Sequence, residues 1–169
     1  MSVEQVQKGQ ASDGRGIVLW VPAIADPSAP KVAELTAAGV KAITYGLASD
    51  GLAHETTVAT ITTGRYMLDQ AIELDGTVTD TVEVKWVYNR TAPTVVETTL
   101  GTPGLDAFLV KILGYANGTT IAAAMKCNAV IPVTTSIPRD IPSTTNSELM
   151  KVQKLNVRGK VYREVAIIS

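Results

Sequence analysis

The chain has 169 residues with 15 Lys and Arg against 16 Asp and Glu, a formal net charge of −1, and a single histidine and a single cysteine. That length supports a hydrophobic core without metal or disulfide staples, the lone Cys127 excludes an intramolecular disulfide, and near-neutral charge argues against gripping nucleic acid, which needs a basic excess to displace counterions. Only 18% of residues are charged while 46% are hydrophobic, a balance that leaves little charge to hold surfaces apart and points to self-association.

Residues 1–16 are polar, lack a periodic apolar face and read as a flexible arm that orders on a partner. They also lack the basic-then-apolar order of a signal peptide. The apolar stretch Gly16 to Ala25 is broken by Pro22 and falls short of the roughly 20 residues a membrane helix needs. Residues 17–21 read as a strand. The following DPSAPKVAELTAAG segment predicts the one helix, with Ser28 as cap, Pro30 in its first turn, Val32, Leu35 and Ala38 on one side, and Gly39 as its stop.

Beyond it, 40–47 reads as a strand, Ser49-Asp50-Gly51 as a turn, and the polar stretch to Thr57 as a loop. Segments 58–62, 66–74 and 81–89 are β-branched or alternating and predict three more strands, with a turn at Asp75-Gly76. In the last of these, Val82, Val84, Trp86 and Tyr88 share one face and Glu83, Lys85, Val87 and Asn89 the other. Residues 105–113 favour a strand running to a turn at Asn117-Gly118, and 120–133 is apolar on both faces, as a central strand would be. Two prolines place 136–147 in a long Pro-rich loop, and two strands close the chain around Arg158-Gly159-Lys160. With no repeat and no linker, 1–169 reads as a single, mainly β domain, a β-sandwich or partial barrel with one flanking α-helix.

Chemistry finds little to stand on. His54 with Ser49 and Asp50 lacks a nucleophile-elbow pattern, and Cys127 sits in an apolar run where a thiol is inert. Ligand count excludes a zinc site of the usual type. Gly14-Arg15-Gly16 lacks the strand before and helix after that a dinucleotide site requires. Asp69, Glu73, Asp75 and Asp80 lack the spacing of a calcium loop and read as a solvated face. No catalytic residue, cofactor or metal is expected.

Three segments together carry a resemblance. Asp26-Pro27-x-x-Pro30-x-Val32-x-Glu34-Leu35 follows an apolar strand, the central TVEVKWVYNR places Trp86 at the middle aromatic of a strand, and Glu148-Leu149-x-x-Val152-x-x-Leu155-x-Val157-x-Gly159 closes the chain. In that order they resemble the major tail (tail tube) proteins of long-tailed, siphovirus-type actinobacterial phages. The resemblance implies a tail-tube fold, six copies per ring with a continuous inner β-barrel, and rings stacked into a conduit for double-stranded DNA that passes without specific binding. It further implies a tape measure protein, a tail terminator and distal tail or baseplate proteins as partners, no membrane, and a place in the virion tail after assembly in the host cytoplasm. Residues 48–60 depart most from the family pattern, where its inter-ring loop would lie.

On that reading Asp69, Glu73, Asp80 and Glu83 are expected to line the lumen, since a basic lining would trap DNA. The arm, the 49–57 loop and the 136–147 loop are expected to order only when rings stack. A competing reading is a non-enzymatic β-sandwich binding or adhesin module. It would need an exposed aromatic platform, for which aromatics at 5% of residues leave little material. A terminator or distal tail ring protein is a nearer alternative.

Overall fold

The computed structural model describes residues 8–67 and 69–169, so the first seven residues of the expected arm lie outside it. In chain order the elements are β1 (Gly16–Val21), α1 (Val32–Leu35), β2 (Lys41–Ala42), β3 (Leu47–Thr63), β4 (Ile72–Val87), α2 (Val95–Leu100), β5 (Asp106–Leu113), β6 (Lys126–Thr135), β7 (Arg139–Asp140), β8 (Met150–Val157) and β9 (Tyr162–Ala166). The fold is mainly β, as expected, and the strand pairings described below are antiparallel. The described residues form two compact units, one of 8–45, 107–132 and 160–169, the other of 46–67, 69–106 and 133–159.

In the first unit β1 lies between β2 and β5, and β6 pairs β9. Ile17 to Val21 are all buried, so the unbroken IVLWV run reflects a strand covered on both faces. Ile17, Leu19 and Val21 pack with Val110 and Ile112 of β5, Cys127 and Val130 of β6, Leu35 of α1 and Ile167. Burial pushes the Cys127 thiol up to about 11, which keeps it protonated and unreactive. Residues 10–15 are tied down without a second copy: Gln10 Nε2 donates to Gly114 O at 3.2 Å and Gly114 N to Arg15 O at 3.0 Å.

The helix expected after Asp26 is a single turn and its cap is not Ser28. Ser28 N and Oγ both donate to Asp26 Oδ1, at 2.9 and 2.6 Å, closing a local turn that competes with capping. Glu34 ties the entry instead, accepting from Lys31 N at 2.9 Å and from Ala25 N at 2.8 Å. These backbone bonds hold its carboxyl below the usual range. The strand expected over 40–47 shrinks to β2. Ile43 N donates to Val18 O at 2.9 Å, Val18 N is taken by Thr44 Oγ1 at 2.9 Å, and a 3-10 turn follows at Thr44–Gly46.

In the second unit β4 sits between β3 and β8, and the other side of β8 pairs first the end of β6 and then β7. The predicted face of β4 is realised: Val82, Val84 and Trp86 are buried with Val96, Leu100, Val133 and Leu155. The 136–147 loop is interrupted by β7, whose Arg139 and Asp140 pair Val152 and Lys151, so this segment is partly ordered within one chain.

A second helix, α2, was not expected. Thr94 Oγ1 caps it by accepting from Glu97 N at 3.2 Å, the Thr-x-x-Glu signal of a helix start. The β-branched Val95, Val96, Thr98 and Thr99 that follow weaken the helix signal. Glu97 then reaches off the helix to accept from Trp86 Nε1 and, at 2.9 Å, from Lys151 Nζ, and Lys151 lies over the Tyr88 ring at 4.1 Å. Gln153 is fully buried among these elements, with Nε2 donating to Leu100 O and Ser136 O at 3.0 and 2.6 Å.

Candidate functional site

The most exposed regular feature of the second unit is the β3–β4 ribbon, paired from Leu47↔Trp86 to Thr63↔Ile72. Its length overturns four local expectations. Ser49-Asp50-Gly51 is not a turn but an irregularity inside β3, between Leu47 and Leu52. A Cβ on Gly51 would lie 2.5 Å from both Ala48 N and Lys85 O. Asp50 there is paired to Lys85, whose hydrogen bond and charge hold its carboxyl below the usual range. The polar stretch to Thr57 is not a loop that waits for ring stacking, because it is laddered to β4.

The expected strand 66–74 contributes only its last three residues. The ribbon's end lies before Ile72, with Met67 in the left-handed region at φ 58°. Asp75-Gly76 is not a turn but a bulge, since three steps along β4, from Asp75 to Val78, oppose two along β3, from Val58 to Thr60. A Cβ on Gly76 would meet Ala59 O at 2.9 Å and Ile61 Cγ1 at 3.2 Å, which is why glycine stands there. Polar, β-branched residues dominate both strands through this region and hold the extended conformation without a buried face.

Directly paired residues share a face, and faces alternate along each strand. One face runs from Trp86, Val84 and Val82 at the root through the pairs Thr56–Asp80 and Val58–Val78 to Thr60–Asp75 and Thr62–Glu73 at the tip. The other runs from Lys85 and the pairs Ala53–Glu83 and Glu55–Thr81 to Ile61–Leu74 and Thr63–Ile72. The apolar side therefore changes over at the bulge. At the root it is the face turned to the unit's own core, and at the tip it is the opposite one.

The four acids singled out from the sequence do not share one surface. Glu73 and Asp80 lie on the first face, Glu83 on the second, and Asp69 in the segment joining the strands. Asp80 is nearly covered, with His54 Nε2 at 3.0 Å and Thr56 Oγ1 donating at 2.6 Å to the same carboxylate oxygen. Glu83 is 3.5 Å from Arg139 Nη2. Asp75, read from the sequence as part of a solvated face, stands two residues from Glu73 on the same face of β4. His54 is thus a strand residue whose ring is bound to the Asp80 carboxylate. Among the described residues no group of three or more His, Cys, Asp or Glu side chains is placed to hold a metal ion, and no helix is long and apolar enough to cross a membrane.

Against known families, the profile of phage tail tube proteins matches residues 4–169, nearly the whole chain. The chain belongs to the phage tail tube protein family. As a tail tube protein it is a structural, non-enzymatic component of the virion tail. Among solved structures, the tail tube chain is similar to a chain of the anti-feeding prophage baseplate, determined by cryo-EM with six-fold symmetrisation. The two are 11% identical, the match covers 93% of this chain and 98% of that one, and the TM-score is 0.51. At that identity the likeness speaks for the fold alone. No curated protein matches the tail tube chain.

Proposed function

We propose that this tail tube protein is the major tail tube subunit of a long-tailed phage, closing as six copies into a ring whose stacked repeats conduct double-stranded DNA. The observation that carries the reading is the β3–β4 ribbon. β3 ends the strand order, so its 17 residues offer a long run of backbone donors and acceptors along an outer edge. An edge of that length invites another strand, and identical copies pairing edge to edge satisfy it when the rotation closes on itself. Six-fold closure is supported by the symmetry of the similar baseplate structure.

The ribbon's acidic tip supports a conduit. Glu73 and Asp75 sit side by side on one face with only threonines opposite them, a surface that repels phosphate and lets DNA slide. Asp69 belongs with this set by position. Asp80 stands on the same face with its charge engaged by His54, and Glu83 on the other face falls outside the lining. A tape measure protein, a terminator and distal tail proteins would bound such a tube at its core and ends.

A second reading, a ring protein nearer the baseplate, is favoured by the source of the similar structure. Electron microscopy of the concentrated protein, alone and with the tail tip complex, separates them. Long stacked tubes support the tube subunit, single rings capping the tip support the baseplate-proximal protein, and monomers under both conditions refute both.

A further inference from the structure

The segment after β5 anchors the chain that leads into β1. Gly114 N donates to Arg15 O at 3.0 Å and Asn117 N to Gly14 O at 3.1 Å, while Gln10 Nε2 reaches Gly114 O at 3.2 Å. Thr119 N donates to Ala116 O at 3.1 Å and closes a β-turn. Gly118 holds the third position of that turn at φ 89°, where glycine is favoured, and an added Cβ there would meet nothing within 4 Å. Asn117 is half-buried and Gly118 exposed.

Asparagine followed by glycine is chemically labile when both reacting groups are free, and the structure singles out this pair. Of the five asparagines only Asn117 precedes a glycine. Among the described residues, neither its side-chain amide nor the backbone N–H of Gly118 has a hydrogen-bond partner. The other four are held. Asn89 Oδ1 accepts from Thr91 N, Thr91 Oγ1 and Ala92 N. Asn128 Oδ1 accepts from Leu113 N at 2.6 Å while its Nδ2 donates to Glu164 Oε1 at 2.9 Å. The amide after Asn146 is engaged, since Ser147 N donates to Thr144 O at 3.3 Å, and Asn156 is paired inside β8 opposite Thr134.

We propose that Asn117–Gly118 is a site of spontaneous deamidation, and that the isoaspartate formed there loosens the anchor of residues 10–15. Gly118 N attacks Asn117 Cγ. A bond forms between them, the Cγ–Nδ2 bond breaks, and Nδ2 leaves as ammonia with the proton lost from Gly118 N. Water then opens the five-membered imide at either carbonyl. Opening at Cγ gives aspartate, whereas opening at the main-chain carbonyl leaves the chain running through Cγ, with one extra backbone atom and a free carboxylate. Glycine favours the closure because it puts no side chain in the path of the attack and accepts the backbone angles the imide needs. An exposed turn opens locally at low cost, so the fold slows the closure without preventing it. The added atom falls inside the Ala116–Thr119 turn, which can no longer close as it does, and Asn117 N, the donor to Gly14 O, sits at its edge. The inference concerns the first unit alone and does not use the ring reading.

The full chain is incubated at mildly alkaline pH and digested at acid pH, where imide formation is suppressed, and each asparagine peptide is followed by mass spectrometry. In folded protein Asn117 should convert at least about 10-fold faster than any other asparagine and within about 30-fold of its rate in the denatured chain, as a low local opening cost implies. Another asparagine matching it, or stronger protection by the fold, would overturn the site. The isoaspartyl form separates by ion exchange through its extra negative charge, and its Gly114 and Asn117 amides should exchange hydrogen at least about 10-fold faster than in unmodified protein. Asn117→Asp carries the charge without the inserted atom and should keep its protection. Unchanged exchange in the isoaspartyl form, or the same loss in N117D, would overturn the claim that the inserted atom loosens the anchor.

Discussion

Replacing Glu97 by alanine should reveal what holds α2 onto the strands of the second unit. Its carboxylate accepts from the indole nitrogen of a fully buried Trp86 and from Lys151 Nζ at 2.9 Å, with both partners of the ion pair more than four-fifths covered. Each charge-assisted bond contributes about 1.5–3 kcal/mol, and an orphaned buried N–H costs about 1–3 kcal/mol. Allowing for partial rehydration of Lys151, E97A should destabilise the protein by roughly 3 kcal/mol, and a shift of about 2–4 °C per kcal/mol puts the fall in melting midpoint at roughly 6–12 °C. The assay is a double-mutant cycle by chemical denaturation with Trp86→Phe, which removes the donor but keeps most of the buried ring. In the E97A background W86F no longer breaks a bond and eliminates an orphan, so the two changes should couple by about 1–2 kcal/mol. Additivity within about 0.5 kcal/mol would refute the reasoning, because it would mean the indole does not depend on Glu97.

Further consequences can be checked separately. Lys151 is raised above its ordinary value, first by its hydrogen bond to Glu97 and then by the charges of Glu97, Tyr88 and Asp140; a raised lysine stabilises fully below its unfolded value of about 10.4 and loses that contribution as pH climbs through the folded value. Stability of wild type should therefore fall above about pH 10.4 relative to Lys151→Met, and parallel alkaline profiles would contradict the ion pair. Gly76→Val, which drives a side chain into Ala59 O and Ile61, should abolish hydrogen-exchange protection of the ribbon tip while leaving the root at Val82 to Trp86 protected; unchanged protection at the tip would show that the bulge does not need glycine. Cys127 should resist a thiol reagent in native protein by at least 100-fold relative to the denatured chain, and fast native labelling would contradict its burial. Glu73→Lys with Asp75→Lys should leave tubes intact but slow DNA release from virions, and normal infectivity would remove these acids from the lining.

What the sequence made legible, and what it hid, divides along the range of the interactions involved. Strands with a buried face, such as Ile17 to Val21 and the Val82–Val84–Trp86 alternation, announce themselves because burial writes hydrophobicity at a period the chain must keep. The ribbon did not, because its tip has no buried face within one chain: Asp50-Gly51 and Asp75-Gly76 carry the letters of turns, yet tertiary pairing makes each an irregularity inside a strand. Only the register across β3 and β4 distinguishes a bulge from a turn, and register is a long-range property. The same gap misplaced the acids. That Asp80 and Glu83 fall on opposite faces follows from their odd spacing and was readable, whereas Glu73 joining the face of Asp80 depends on the bulge and was not. For α2, the Thr94–Glu97 cap was in plain view beside four β-branched neighbours that disfavour a helix, and the Lys151 contact that favours it lies 54 residues along the chain. The family resemblance was carried by spaced residues that include the core positions Leu35, Trp86, Val152 and Leu155, none of which depends on the ribbon's register, which is why it survived these local misreadings.

The most direct test of the account is a cryo-EM reconstruction of tubes assembled from this chain, resolved well enough to place the β3–β4 ribbon. The account predicts six copies per ring, β3 paired to a strand of the neighbouring copy, and Glu73 and Asp75 facing an open lumen. A ring of another order, or a ribbon whose acidic face is packed against protein, would contradict it.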